Sequence, residues 1–182
     1  MKKRLFSSVI IGILSISSAQ AFDDNKKGFL VSLGGGLSNV NTKVSLGNLG
    51  ANESSFGLAS SFKLGYGFNE QFMLYYVNDV SWYGYENDPN KDTYATGLTG
   101  IGASYFFDKN KPYYILGGVG VGTITNVSKS VQTRGNSFMI GAGYEAVKHL
   151  QVEASYVKSN FEESNVKANI NTVKMTLNYM WY

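Results

Sequence analysis

The sequence of 182 residues contains no cysteine, only two prolines and one histidine. Without cysteine no disulfide can close the fold, so hydrogen bonding and side-chain packing must do so. Beyond residue 21 there is also no apolar run of the roughly 20 residues that a transmembrane helix needs. These absences exclude a disulfide-stapled domain and a helical membrane protein, but they leave open a membrane fold built from strands.

The first 21 residues have the layout of a secretory signal peptide. Lys2–Arg4 form a positively charged start, the apolar stretch Leu5–Ile16 follows, and Ala19–Ala21 is a small-x-small cleavage site. The apolar stretch is shorter than the about 20 residues of a spanning helix, which disfavours an uncleaved N-terminal anchor. We therefore predict residues 1–21 to be a cleaved signal peptide and residues 22–182 to form one mature domain.

Removal of the signal peptide changes the charge balance. The whole chain has 16 Lys and Arg against 13 Asp and Glu, but three of the basic residues lie in the signal peptide, which leaves 13 of each sign. Nucleic-acid binding relies on clustered positive charge that displaces counterions from phosphates. The mature chain has no such cluster and keeps a single arginine, Arg134. Nucleic acid is therefore not an expected partner.

Large apolar residues alternate with small or polar ones in eight successive segments of the mature chain. The clearest is Phe56–Phe68, where the second set consists of Gly, Ala, Ser and Lys63. Period-two alternation indicates a β-strand with two different faces. Eight such segments predict an all-β fold, an eight-stranded antiparallel up-and-down β-barrel. Asn78 interrupts the third segment, and the upper half of the fourth, from Tyr94 to Phe107, is irregular enough to predict a bulge.

The connections between the segments alternate between short and long. The three short ones lie near residues 69–70, 108–112 and 147–149, and the four long ones near residues 39–54, 84–93, 125–135 and 159–168. Membrane barrels of the bacterial outer membrane have short periplasmic turns and longer extracellular loops. The pattern therefore predicts four extracellular loops.

The large apolar side chains are expected to face outward, into lipid, which makes the barrel a transmembrane one. A soluble lipocalin-like barrel would carry Lys and Glu on its outside, whereas the less apolar face here is mostly Gly, Ala, Ser and Thr. The rings also gather near segment ends, as interfacial Tyr and Trp do, which an ordinary β-sandwich core would not produce. One expected girdle, at the short-turn end, comprises Tyr66, Phe68, Phe72, Tyr105, Phe107, Tyr113, Tyr144, Tyr179 and Trp181. The other, at the long-loop end, comprises Trp82, Tyr83, Tyr94, Phe138 and Tyr156.

Several segments carry a resemblance to a known family: Lys63–Asn69, Gly100–Phe107, Pro112–Gly122, Gly141–Ala146 and Leu150–Tyr156. In the order and spacing of these segments, over most of the mature chain, the sequence resembles the eight-stranded outer-membrane β-barrel family that includes the OmpA transmembrane domain, OmpX and the opacity proteins. The resemblance implies the cell outer membrane of a Gram-negative bacterium, with outer-membrane lipid around the barrel. It also implies the barrel-assembly machinery as a partner during biogenesis.

Five charged residues fall on strand faces assigned to the interior: Lys63, Asp79, Glu145, Glu153 and Lys174. A lysine facing lipid at mid-depth would cost roughly 2–4 kcal/mol, so inward placement agrees with the strand register. Counted from the turns, Lys63 lies near the level of Glu153, and Lys174 near that of Asp79. We predict a lumen ion network that plugs the barrel, because side chains just fill an eight-stranded interior. A gate or ion path is the alternative interpretation.

The last strand resembles the assembly signal of the same family, a run of alternating apolar residues that ends in an aromatic. Leu177, Tyr179 and Trp181 share the apolar register, whereas the final Tyr182 falls on the lumen side. Either Trp181 takes the place of the terminal aromatic or the strand end is irregular. These four residues are the predicted C-terminal assembly signal.

No catalytic, cofactor-binding or metal-binding site is predicted. Membrane enzymes of this size, such as lipid A deacylases and palmitoyltransferases, imply a histidine with a serine or another acid–base partner, but His149 lies in a short turn without Ser or Asp beside it. Asp88–Asp92 begins like a calcium loop, yet Thr93 replaces the required Gly and Thr99 the final Glu. We predict a non-enzymatic barrel with a structural or surface-interaction, adhesin-like role, whose loops would meet a host or surface ligand. A narrow porin-like channel for ions or small solutes is the alternative.

Overall fold

The computed structural model describes residues 26–46, 49–85, 92–108, 111–129, 131–163 and 166–182. In this part of the chain no helix is long and apolar enough to cross a membrane. The described residues form eight strands: β1 (Gly28–Leu46), β2 (Leu49–Gly67), β3 (Phe72–Tyr83), β4 (Tyr94–Phe106), β5 (Tyr113–Asn126), β6 (Val131–Val147), β7 (Leu150–Glu163) and β8 (Val166–Trp181). Each strand pairs antiparallel with its neighbours in sequence, and β8 pairs with β1, so the sheet closes. The predicted eight-stranded antiparallel barrel is confirmed.

The two faces of the strands differ as the alternation predicts. Apolar side chains cover the outside, where Leu58, Ile101 and Val119 are each more than 60% exposed. Lys63 and Glu153 point inward and are almost completely buried. Because a charged interior and a ring-rich exterior suit a barrel surrounded by hydrocarbon, the outward orientation of the apolar face is confirmed.

The turns after β2, β4 and β6 lie at one end of the barrel, here called the turn end, together with the start of β1 and the end of β8. The first turn forms because Asn69 Oδ1 accepts hydrogen bonds from the amides of Gln71 and Phe72, both at 2.8 Å. In the third, His149 adopts a positive φ of 71°. All nine rings of the girdle expected at this end are exposed on the outside.

The opposite end, here called the hairpin end, differs from the prediction of four long loops. The residues expected to form loops at 39–54, 125–135 and 159–168 are mostly paired in strands, and β1 and β2 stay in register up to Leu46 and Leu49. Only the connection at 84–93 has the predicted length. The expected apolar exterior ends in the other three because their outward positions are polar, as expected of strands that continue into water, whereas inward positions such as Val40, Phe161 and Ile170 are apolar and buried.

Backbone pairing at the hairpin end divides the strands into two groups. Pairing between β6 and β7 stops at Asn136 and Asn160, and pairing between β2 and β3 stops at Gly57 and Tyr83. Beyond these points β7, β8, β1 and β2 remain paired with one another as one four-stranded blade. The tops of β3, β4, β5 and β6 form the second group, whose inward side chains pack against those of the blade.

Two further details of the strand register correct the sequence analysis. The bulge expected in β4 is not there, since β4 pairs with β3 and β5 without interruption, whereas a register shift occurs in β6 between Glu145 and Val147. Tyr83 and Tyr94 do not belong to the outer girdle of the hairpin end, because the register turns both rings toward the lumen. Trp82 and Phe138 are exposed on the outside, and Tyr156 is partly exposed.

Candidate functional site

The first ion pair of the lumen joins Lys63 of β2 to Glu153 of β7. Tyr114 Oη lies 2.7 Å from Glu153 Oε1, to which it donates a hydrogen bond, and 3.0 Å from Gln151 Oε1. Lys63 Nζ also lies 5.3 Å from the centroid of the Tyr75 ring, within cation–π range. Since Lys63 is 1% and Glu153 4% exposed, each charge depends on these neighbours for its stability.

A second ion pair, between Lys174 of β8 and Asp79 of β3, lies further toward the hairpin end. Both residues are buried. In the sheet register Ser61 stands beside Asp79, and Ser155 beside Lys174, so hydroxyl groups border both charges. Like the first pair, this one connects strands that are not neighbours in the sheet, and both pairs therefore cross the lumen.

Glycines on the lumen face make room for the tyrosines that accompany the first ion pair. A Cβ atom on Gly102 would overlap the Tyr75 ring, and a Cβ atom on Gly143 would overlap the phenol of Tyr114. With that space Tyr75 Oη reaches Ser104 Oγ at 2.8 Å, and Tyr114 reaches Glu153. The small residues of the inner face thus determine where large polar side chains can cross the barrel.

Glu145, the fifth predicted lumen charge, belongs to a separate group at the turn end. Its Oε2 atom lies 2.7 Å from Lys26 Nζ, and its Oε1 atom accepts a hydrogen bond from Tyr182 Oη. Lys26 Nζ also lies 3.9 Å from the centroid of the Phe106 ring. Burial, and then the Glu145 carboxylate, raise the pKa of Tyr182, so its phenol remains a hydrogen-bond donor.

His149 packs against the end of β8. Its Nδ1 atom lies 2.9 Å from the carbonyl oxygen of Met180, and its ring centroid is 4.6 Å from that of Tyr182 and 5.8 Å from that of Tyr179. The backbone N–H of His149 points to Glu145 Oε1 at 3.3 Å. Through these contacts His149 stabilises the position of the end of β8.

Aromatic side chains pack together in the lumen at the hairpin end. The rings of Tyr83, Tyr85 and Tyr94 contact one another with centroid separations of 5.0–6.0 Å. They pack with a buried apolar group that includes Val40, Phe161 and Ile170. Tyr85 Oη donates a hydrogen bond to Thr42 Oγ1 at 3.2 Å, which ties the start of the 84–93 connection to β1.

A polar contact joins two connections of the hairpin end. Asp92 Oδ2 lies 2.8 Å from Lys129 Nζ and accepts a hydrogen bond of 2.8 Å from Asn126 Nδ2. The Lys129 and Asn126 hydrogen bonds lower the pKa of Asp92. Of the segment that resembled a calcium loop, Asp92 alone lies within the described residues. Its carboxylate is used here as an acceptor between connections.

The C-terminal residues are placed in the alternating register of the sequence analysis. Leu177, Tyr179 and Trp181 are exposed on the outside of β8, and Tyr182 is 2% exposed and lies inside. Sequence reasoning did not identify the hydrogen bond from Tyr182 to Glu145. It also missed Lys26, which lies before the first strand, where no alternation marks an inward position.

Tyr75, Tyr114 and Gln151 are further lumen residues that the sequence did not single out. A period-two signal existed for Gln151, which shares its face with Glu153, but a hydrogen bond between neighbouring side chains leaves no sequence pattern. Among the described residues no group of three His, Cys, Asp or Glu side chains could hold a metal ion.

A closed eight-stranded barrel with an apolar exterior, two levels of rings and a polar interior is the architecture of an outer-membrane β-barrel protein. The family described as "Outer membrane protein beta-barrel domain" matches residues 9–180 of the sequence. The chain belongs to this family, and its location is the outer membrane. No curated protein sequence matches it.

Solved structures of similar fold include three outer-membrane proteins. Ail, the attachment invasion locus protein of Yersinia pestis, is 13% identical with a TM-score of 0.53, over 82% of this chain and 98% of Ail. Neisserial surface protein A is 18% identical with a TM-score of 0.52, over 83% of this chain and 96% of that protein. OprG of Pseudomonas aeruginosa is 12% identical with a TM-score of 0.52, over 87% of this chain and 99% of OprG. At these identities the similarity shows a shared fold.

Proposed function

We propose that this protein is a non-enzymatic outer-membrane barrel whose lumen is plugged by its own side chains and whose hairpins act at the cell surface. The observation that carries the plug is the series of cross-lumen contacts. Lys26 and Glu145 lie at the turn end, two buried ion pairs lie between the ends, and tyrosines lie at the hairpin end. A pore would require these charged groups to leave their partners, which is costly for buried charges.

Planar-bilayer conductance tests the plug. The folded, purified barrel should give no stable current, because no continuous aqueous path crosses the layers of side chains. A large-pore porin inserted into the same bilayer serves as the positive control. Mobility before and after boiling establishes that both preparations are folded. A steady current from the folded wild-type barrel would contradict the plug.

The surface role rests on the length of the hairpins. β1 and β2 each contain 19 residues, about twice the 9–11 that a transmembrane strand needs, so their outer parts project beyond the membrane. Short turns at the opposite end are typical of the periplasmic side, which assigns the hairpin end to the cell exterior. The protein of similar fold that is described as an attachment invasion locus protein agrees with an adhesin-like role.

Truncation of the projecting blade tests this role. Replacing residues 41–54 by Asn-Gly shortens the β1–β2 hairpin and leaves its membrane part intact. Cells that express the truncated barrel should adhere less to an epithelial monolayer than cells that express the full barrel at the same surface level. Equal adhesion would remove the hairpin from the proposed function.

A narrow channel is the second candidate. The hydroxyl groups of Ser32, Ser61 and Ser81 are buried and have no hydrogen-bond partner among the described residues. Such groups favour water in the lumen. Planar-bilayer conductance also separates the two candidates. A channel gives a steady current, whereas a plugged lumen with water confined to separate cavities does not.

Export and assembly complete the proposal. Residues 1–21 direct the chain across the inner membrane and are removed, so mass spectrometry of the protein from outer membranes should place its N-terminus near Phe22. Leu177, Tyr179, Trp181 and Tyr182 serve as the recognition strand for the barrel-assembly machinery. The contacts of His149 with the end of β8 support a structural role for this histidine.

A further inference from the structure

The outward-facing cations of the hairpin half are confined to one side of the barrel. Among the described strand residues they are Lys43 of β1, Arg134 of β6, Lys158 of β7 and Lys167 of β8. These four strands are consecutive around the barrel. The outward polar positions of β2, β4 and β5 in this half carry uncharged residues, such as Ser54, Thr99 and Thr123. The barrel therefore presents a charged side and an uncharged side at this height.

The cations stand among asparagines in a regular pattern. In the sheet register Asn136, Asn160, Asn169 and Lys43 are successive partners and form one row across β6, β7, β8 and β1. The row below consists of Phe138, Lys158, Asn171 and Asn41. Phe138 belongs to the outer ring girdle, so both rows lie at or just above the level where rings mark the membrane interface. We call these two rows, with Arg134 and Lys167 above them, the Asn–Lys face.

Two cavities lie one above the other on this side. The upper one, of about 380 Å³, is polar and lined by Arg134, Asn136, Asn160 and Lys167 among others. The lower one, of about 620 Å³, is an apolar groove on the outside of β5 to β8. The groove exists because small residues, Gly141, Ala142 and Ala154, form part of its lining, between larger residues such as Ile140 and Val173.

We propose that this side of the barrel binds one membrane lipid, with a phosphorylated sugar headgroup on the Asn–Lys face and an acyl chain in the groove beneath. Lys and Arg favour phosphate, and asparagine amides can both donate to and accept from sugar hydroxyls. Among the described residues that line the upper cavity, Glu162 is the one acidic residue and pairs with Lys167 at 3.0 Å, so the cations there remain in excess. The vertical order of polar cavity and apolar groove matches the order of headgroup and acyl chain in the membrane.

Lipid titration of the folded, detergent-solubilised barrel, followed by native mass spectrometry, tests the proposal. The probes are lipid A with two phosphates, lipid A without phosphates, and inorganic phosphate. The test variant is Arg134→Gln with Lys158→Gln and Lys167→Gln. The control variant, Lys27→Gln with Lys111→Gln and Lys148→Gln, removes the same charge at the turn end.

One molecule of diphosphorylated lipid A should bind, more tightly than the dephosphorylated form. The test variant should weaken its binding by roughly fivefold for each cation removed, or about a hundredfold in all. The control variant should bind as wild type does. Equal affinity of the two variants, or saturation by inorganic phosphate at the concentration where lipid A saturates, would overturn the lipid site. Boiling-dependent mobility identifies any variant that has not folded.

The groove is tested by a separate pair of variants. Ala154→Leu fills the groove, and Ala103→Leu places the same side chain on the outer face of β4, away from it. Lipid A binding should fall roughly fivefold in the first variant, because it loses contact with about one or two methylenes, and remain unchanged in the second. If both variants bound lipid A equally well, the proposal that an acyl chain occupies the groove would be refuted. These measurements do not depend on conductance, so the proposal of a lipid site and the proposal of a plugged lumen can each be refuted without the other.

Discussion

Glu153→Gln is the substitution that tests most directly whether the lumen is sealed. It keeps the shape of the side chain but leaves the Lys63 ammonium, which is 1% exposed, without its opposite charge. Removal of one partner from a buried ion pair costs about 3–5 kcal/mol, because an uncompensated charge remains in the interior. Tyr114 keeps an acceptor in Gln151, so the loss arises mainly at Lys63.

The exposed pair Lys167–Glu162 provides the matched comparison. Its charged atoms are 3.0 Å apart, but both side chains are about two-thirds exposed. Glu162→Gln should therefore cost less than about 1 kcal/mol. Combining Lys63→Met with Glu153→Leu removes both charges, and the free energy of unfolding should return to the wild-type value or exceed it by about 1–4 kcal/mol.

Equilibrium urea unfolding in phospholipid vesicles, followed by tryptophan fluorescence, gives these free energies. Glu153→Gln should be the most destabilised of the three variants. A cost no greater than that of Glu162→Gln would mean that Lys63 is hydrated as well as a surface lysine. The lumen would then be open to water, and the plug would be refuted.

Three further predictions concern other parts of the molecule. Gly143→Val should displace the Tyr114 phenol and lower the free energy of unfolding by about 1–3 kcal/mol in the same assay, as overpacking does. The pKa of Asp92 lies below its ordinary value of 3.8, so the contact with Lys129 is complete above pH 3.8 and is lost as the pH falls through the lowered pKa. NMR titration of the Asp92 carboxyl should therefore give a midpoint below 3.8, which Lys129→Gln moves upward. Deletion of Met180–Tyr182 should reduce the yield of barrel in outer membranes, measured as the heat-modifiable fraction.

Each of these has its own control or contrary outcome. Gly35→Val adds the same side chain on the outer face, where the nearest atom to a new Cβ is the Ala59 carbonyl oxygen at 3.9 Å, and should be tolerated. If both substitutions lowered the free energy of unfolding equally, displacement of the Tyr114 phenol would not explain the effect of Gly143→Val. A titration midpoint of Asp92 at or above 3.8 would contradict the role of Lys129 and Asn126. An undiminished yield of the truncated chain would count against the assembly signal.

Strand number, strand direction and the outward face are predictable from the sequence because a barrel wall imposes the same period of two on every strand. The wall also fixes the inward positions of Lys63, Asp79, Glu153 and Lys174, since one residue of register decides between lipid and lumen. The partners of these residues follow from strand heights, which can be counted from the turns.

Sequence reasoning fails where the wall leaves the membrane or where contacts cross the lumen. The outward face of a projecting strand meets water, so the outward positions of residues 39–54 become polar and the segment resembles a loop, although residues 39–46 and 49–54 pair in strands. Lys26 precedes the first alternating segment, so no pattern assigns its side chain to the lumen. The register shift in β6 lies beside Glu145, and nothing in the sequence marks its position. The register of β3 with β4 pairs Tyr83 with Tyr94 and turns both rings inward, and the sequence alone does not reveal this register.

The four-stranded blade of β7, β8, β1 and β2 has a mechanical consequence. Its ladders run without interruption from the barrel wall to the tips, where Leu46 pairs with Leu49 and with Val166. A load applied to the tip along the strand axes is shared by many backbone hydrogen bonds in shear. Tension on a cell attached through the blade would thus be transmitted directly to the barrel in the membrane. The blade would keep its length under this load, whereas a flexible loop with the same number of residues would extend.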